Sequence, residues 1–286
     1  MQSVLWYIDD QGPDPWVQAA LDVTRAVEGH LSCLHVSSLN SFKISDAYGG
    51  VAAKHRFIVE AQKHGEKIRM QIRERLDKEN VSWDFNHIEG DPVNAITRES
   101  ALRDIAILGR PPGNSDKNRS TTFFGDLLSH IRTPTLLQPH DFIGINLTDP
   151  AIICWNGSIE SANALRSSLP LIKIASEVHI VSIDDDKETA LPPDAACKYL
   201  ASHGVDSQLK LLSSRSSHPS DILISTAQNL QAGFMVAGAF GRSRTHEYIF
   251  GGVTRNLVRS CPLPLLLVPY LHLDVLGSRD STLLGV

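Results

Sequence analysis

The 286-residue chain has little of what announces specialised chemistry: 4 cysteines, 3 methionines and only 6% aromatic residues. Cys33, Cys154, Cys197 and Cys261 form no CxxC pair, and Cys33 and Cys154 sit in apolar, strand-like runs. This argues against a disulfide framework or a thiolate zinc site and predicts four structural thiols. None of the 12 histidines stands in an HxxxH or HExxH pattern. No tightly bound metal is therefore expected; His35 and His179 read as strand residues and most of the others as surface. Positive charge is not in surplus either. Lys and Arg total 27 against 32 Asp and Glu, a net charge of −5, which disfavours a nucleic-acid groove as the main business. No apolar run approaches the ~20 residues of a membrane span. Met1-Gln2-Ser3-Val4 lacks the basic-then-apolar pattern of a signal peptide, so a cytoplasmic protein with neither membrane nor nucleic acid as partner is expected.

What is present is an ordinary globular composition, 42% hydrophobic, and a length that suits two domains at ~100–200 residues each. A repeat organises it. Ile105-Ala106-Ile107-Leu108-Gly109 is followed by Thr133-Pro134-Thr135-Leu136-Leu137, and Met235-Val236-Ala237-Gly238 by Pro264-Leu265-Leu266-Leu267-Val268-Pro269. Pro134 to Pro264 spans 130 residues and Gly109 to Gly238 spans 129, so two landmarks agree on one period. The boundaries expected are a first domain over 1–140, a linker over 141–150, a second domain over 151–270 and a tail over 271–286.

Each half alternates strands and helices. Val4–Ile8, Leu31–Val36, Val81–Phe85 and Asp104–Leu108 read as strands of the first half. Asp14-Pro15 reads as the cap and first position of a helix. Ile58, Ala61, Ile68, Ile72 and Leu76 line a long charged helix, Gly90-Asp91-Pro92 turns into a short one, and a helix is expected around Phe123–Ile131. In the second half Ala151–Trp155, Val178–Ile183, Val205–Leu212 and Gly233–Ala237 read as strands. Ile159, Ala162, Leu165 and Leu169 mark one helix face, and helices are expected over Asp194–Ser202, Ser220–Leu230 and Gly252–Ser260. Repeated β-α units with continuous apolar strands imply an α/β fold with doubly wound parallel sheets.

In such folds ligands sit beyond the carboxyl ends of the strands, where glycine-rich turns feed helix N-termini. Gly238-Ala239-Phe240-Gly241 and, nine residues on, Gly251-Gly252-Val253-Thr254 form such a segment, with Arg242, Arg244 and His246 between them. It suits an anion, because glycine lets the backbone approach and the first helical N–H groups lack partners. Turn glycines and a solvated basic loop are the equally open alternative. The segment is neither GxGxxG nor a GxxxxGK[ST] P-loop.

Gly238, Gly241 and Gly251 match the spacing of the universal stress protein signature, Gly-x2-Gly-x9-Gly-[Ser/Thr]. Pro264–Pro269 resembles that family's closing strand, Trp155-Asn156-Gly157-Ser158 its opening Asp-Gly-Ser turn, and Gly90-Asp91-Pro92 the turn before its third helix. Residues 1–270 thus resemble a tandem universal stress protein. The resemblance implies two Rossmann-like domains of the adenine nucleotide alpha hydrolase-like kind. Each would carry a five-stranded parallel sheet, and the two would form an intramolecular pseudo-dimer through Thr135–Gln138 and Leu265–Val268. It implies ATP or a related adenine nucleotide, with magnesium, in the second half. Gly238, Gly241, Arg242, Gly251, Gly252, Val253 and Thr254 would then lie at the phosphates, Asn156 and Gly157 at the ribose, and the Ile183 backbone at adenine. Asn156 stands where the family has an acid, and Gly252 where it has Ser or Thr. In the first half Arg110-Pro111-Pro112-Gly113 follows Gly109, and Thr121-Thr122 occupies the place of the last glycines. Asp9 or Asp10 takes the opening acidic position there. That half is expected to be structural, or to bind something other than a triphosphate.

A non-catalytic, nucleotide-responsive stress protein is the leading reading. The alternatives are a nucleotide-independent adaptor and a slow ATPase, and a homodimer is compatible with each. No GxSxG elbow or SGGxDS-like loop supports catalysis. Asp184-Asp185-Asp186 reads as a solvated acidic loop rather than a metal site.

Overall fold

The computed structural model describes residues 1–10, 12, 16–38, 50–110, 117–184, 190–214, 217–239 and 251–269; within it, the side chains of 50–57 and 117–121 are not described. The first half runs β1 (Ser3–Ile8), α1 (Val17–Ala26), β2 (His30–Ser37), α2 (Gly50–Leu76), β3 (Ser82–Glu89), α3 (Pro92–Ser100), β4 (Ile105–Arg110), α4 (Lys117–His130) and β5 (Thr135–Pro139). The second runs β6 (Ala151–Trp155), α5 (Ile159–Ile172), β7 (Val178–Asp184), α6 (Pro193–Ser202), β8 (Gln208–Ser213), α7 (Pro219–Asn229), β9 (Phe234–Ala239), α8 (Gly252–Ser260) and β10 (Leu265–Pro269).

The strands form one ten-stranded sheet in the order β3-β2-β1-β4-β5-β10-β9-β6-β7-β8. Every pairing is parallel except the central one, where β10 runs antiparallel to β5 with Leu265 opposite Leu137 and Leu267 opposite Thr135. The two expected five-stranded sheets are thus halves of a single sheet, joined at the strands the sequence nominated. The strands are apolar throughout because both faces are covered. Val4, Trp6 and Ile8 turn to one core under α1, α2, α5 and α6. Leu5 turns to the other, under α3, α4, α7 and α8. The outermost strands β3 and β8 alternate instead, as Trp83 and Phe85 suggested. The stretch after β5 is packed down: Asp22 Oδ2 accepts from Ile145 N at 3.0 Å, Gln138 Nε2 donates to Gly144 O at 2.9 Å, and Ile145 and Leu147 are buried.

The local signals fare unevenly. Asp91 caps α3, accepting from Asn94 N at 2.9 Å. Asp14 and Pro15 lie outside the described residues, and α1 begins at Val17 with Trp16 in the cap position, making no side-chain cap bond. The face expected for α5 holds in part: Leu165 is buried and Ala162 and Leu169 pack against the core. Ile159, however, is 46% exposed, and the buried stripe also takes in Glu160, Ser161, Ala164, Ser168, Leu171 and Ile172. Small residues carry that stripe because the helix lies close against β9 and β10, and apolar periodicity overlooks small polar side chains. Burial raises the pKa values of Cys33 and Cys154, keeping both protonated, and all four cysteines are free.

Arg110 reaches across the join. Its guanidinium donates to the carbonyls of Val258 at 2.9 Å, Leu257 at 3.3 Å and Cys261. A cation from the first half therefore closes the C-terminal end of α8, where the helix dipole favours positive charge. Arg110→Ala should destabilise the chain by about 2–3 kcal/mol, the range for hydrogen bonds to a partly buried charge. A urea midpoint unchanged from wild type would refute that.

At the other end of β1, Asp104 Oδ2 accepts from Gln2 N at 2.6 Å and Ser3 N at 3.0 Å. The bond from Gln2 is foremost in holding its carboxyl below the usual 3.8. A depressed carboxylate contributes stability fully present above its unfolded pKa and lost as pH falls through the folded one. Asp104→Ala should therefore cost under about 1 kcal/mol at pH 7, given its exposure, and the difference should fade below pH 4 in denaturation compared across pH.

Candidate functional site

The carboxyl ends of β6, β7 and β9 lie side by side, with the N-terminus of α8 at the same end. Register sets the levels: Trp155 pairs with Ser182 and Ile153 with Val236. Continued outward, that register puts Asn156 level with Ile183 and Ala239.

Asn156 is exposed just beyond β6, and its Oδ1 accepts from Ser158 N at 3.2 Å. Gly157 follows at φ +67, a left-handed conformation that favours glycine. Its carbonyl accepts from Leu191 N at 3.0 Å. Ser158 then caps α5, accepting from Ser161 N at 3.2 Å. The opening turn is thus a wired strand-to-helix junction in which the exposed Asn156 has its Oδ1 engaged. The Ile183 side chain packs into the core and only its backbone serves the sheet edge.

The glycines divide into two kinds. At Gly238 a Cβ would lie 2.7 Å from the Glu160 carbonyl carbon and 2.8 Å from its oxygen. Its smallness lets α5 approach β9, a packing role that the phosphate reading did not foresee. Among the described residues, a Cβ at Gly251 would meet nothing within 4 Å, and one at Gly252 only His218 Nε2 at 4.0 Å. Both are exposed, and Gly251 supplies no side-chain cap. The first helical bond runs from Arg255 N to Gly251 O at 3.0 Å, so the amides of Gly252, Val253 and Thr254, as first-turn donors, have no intrahelical acceptor. The Val253 side chain packs inward and Thr254 is half-buried. Gly241 and Arg242 lie outside the described residues, as do Arg244, His246, Asp185 and Asp186.

Sequence reasoning missed His218. It caps α7, its Nδ1 taking Ser220 N at 3.3 Å. That bond makes Nδ1 the acceptor and leaves Nε2–H as a donor beside Gly252. The signal was present: Ser217-His218-Pro219 is the counterpart of Gly90-Asp91-Pro92.

In the first half the equivalent glycine is packed by a side chain rather than by backbone. A Cβ on Gly109 would lie 2.1 Å from the Trp16 ring, so the indole sits directly on the glycine that matches Gly238. Among the described residues the metal-ligating types gather in one place, also in this half: Asp10, His35 and His64. Chain separation hid that group from spacing rules.

Residues 150–269 match the model of the Universal stress protein family. No curated protein matches the chain significantly. Among solved structures, a universal stress protein from Archaeoglobus fulgidus DSM 4304 is 18% identical with a TM-score of 0.69, covering 93% of this chain and 96% of its own. A protein assigned to the same family from Pseudomonas aeruginosa UCBPP-PA14 is 18% identical with a TM-score of 0.60, over 94% and 93%. A functionally unknown protein from Pseudomonas aeruginosa PAO1 is 19% identical with a TM-score of 0.59, over 94% and 92%. These likenesses establish that nearly the whole chain, not only its second half, has this fold.

The division of the glycines has a direct check. Gly238→Ala should destabilise by about 1–3 kcal/mol through overpacking, whereas Gly251→Ala should stay within about 0.5 kcal/mol. Equal costs in thermal denaturation would undo the distinction.

Proposed function

We propose, from residues 150–269 as a universal stress protein domain, that the chain is a non-catalytic, nucleotide-responsive stress protein. It takes ATP or a related adenine nucleotide, with magnesium, at the carboxyl edge of its second half. The observation that carries this reading is the open first turn of α8. Exposed Gly251 and Gly252 leave space for an anion against three donor amides, and His218 Nε2 stands beside them. Helix N-termini bind phosphate through such amides and the positive end of the dipole. Asn156 provides a neutral hydrogen-bonding group where the ribose would lie, so magnesium would be held by the phosphates and water rather than by a side-chain carboxylate. Pro111 and Pro112, which follow Gly109 and lack amide donors, argue for one nucleotide per chain rather than two.

Titration calorimetry of the nucleotide-stripped chain with ATP and magnesium tests it. One site per chain is expected. Gly241→Val, in the middle of the glycine signature, should weaken binding at least tenfold, and His218→Ala several-fold, with circular dichroism unchanged. Two nucleotides per chain, or full affinity in Gly241→Val, would reject the assignment. No binding by the folded, stripped wild type would reject it in favour of an adaptor.

A further inference from the structure

Three imidazoles and a carboxylate converge at the carboxyl edge of the first half of the sheet. Asp10 follows β1, while His35 and His87 face each other across β2 and β3 in register. His64 comes from α2. The His35 ring stacks on His87 with centroids 5.0 Å apart and meets His64 edge-on at 5.6 Å.

His35 is the unusual member. It is 0% exposed, and neither ring nitrogen has a hydrogen-bond partner among the described residues. Its Nε2 faces Asp10 Oδ1 at 3.3 Å, close enough for an ion pair but without hydrogen-bond geometry. Buried polar groups are rarely left so, and one that is calls for an explanation. The surroundings are specific. His64 Nε2 donates to the Asp10 carbonyl at 3.1 Å, and His87 Nε2 lies 3.0 Å from Ser37 Oγ. Gly65, in the middle of α2, makes room: a Cβ there would sit 2.5 Å from His87 Nδ1.

We propose that Asp10, His35 and His64 form a binding site for a divalent transition-metal cation of the zinc class. One ligand atom from each residue lies within 4.8 Å of the other two. Ligands about 2.0–2.1 Å from a tetrahedral zinc stand roughly 3.4 Å apart. The Asp10–His35 pair already has that spacing, and a side-chain adjustment of His64, half-exposed on its helix, closes the third corner. Two imidazoles and one carboxylate suit zinc or its neighbours, whereas magnesium and calcium favour all-oxygen shells. Three protein ligands leave a position for water or a further donor. His87 holds the His35 ring by stacking and is a positioning residue. This gives the first half, whose glycine loop is lost, a ligand of a different chemical class. It is independent of nucleotide binding in the second half.

The test is Co²⁺ titration of the metal-stripped, full-length chain without nucleotide, read by visible ligand-field absorption. One equivalent should bind, be displaced by Zn²⁺ and be unaffected by excess Mg²⁺. His64→Ala and Asp10→Asn, each shown to be folded by circular dichroism, should weaken binding at least tenfold. His130→Ala, on α4, should leave it unchanged. Wild type that develops no saturable bands would overturn the proposal, as would His64→Ala that retains affinity within twofold. His35→Gln provides the stronger loss if it folds, and the outcome does not depend on it.

Discussion

The antiparallel join of β5 to β10 is the constraint on which the rest of the molecule depends. All five residues of each of these strands are buried, and two separate half-sheets would leave both as apolar, unpaired edges of the kind that templates aggregation. Pairing them removes the two worst edges and leaves at the ends only β3 and β8, whose outward residues alternate with inward ones. The join is short. It is reinforced on one face by α4 against α8 and by Arg110, which carries charge from one half into the C-terminal carbonyls of the other.

Reversing strand direction at that join also sets where function can lie. Every strand of the first half runs one way and every strand of the second the other, so the carboxyl edges of the halves face opposite ends of the sheet. The glycine-bounded edge with Asn156 and His218 occupies one end, and the cluster of Asp10, His35 and His64 the other. Arg110 joins the two halves. It holds the C-terminal end of α8, and the open amides that would receive an anion are at the same helix's N-terminal end.

The halves share a fold and have diverged at corresponding points. Gly238 admits the backbone of α5 at Glu160, while Gly109 admits the Trp16 indole. After Gly238 the chain goes on to glycines, whereas after Gly109 it goes on to Arg110 and two prolines, which lack amide donors. The second half thus keeps two exposed glycines at the start of α8, and the first gathers Asp10, His35 and His64 at its carboxyl edge instead.

The alternation of strands and helices, the 130-residue period and the closing strands were legible from residue order alone, because each depends on neighbours a few positions apart. The turn at Gly90-Asp91-Pro92 into α3 and Gly251-Gly252 at the start of α8 were legible for the same reason. The full face of α5 was not, since Ser161, Ala164 and Ser168 are buried for their small size rather than their hydrophobicity. The packing role of Gly238 depends on a helix some eighty residues earlier in the chain. The meeting of Asp10, His35 and His64 depends on β1, β2 and α2 converging at one edge of the sheet. Local periodicity reports what a segment can bury, whereas a site made of side chains from separate segments exists only once packing has set which segments are neighbours.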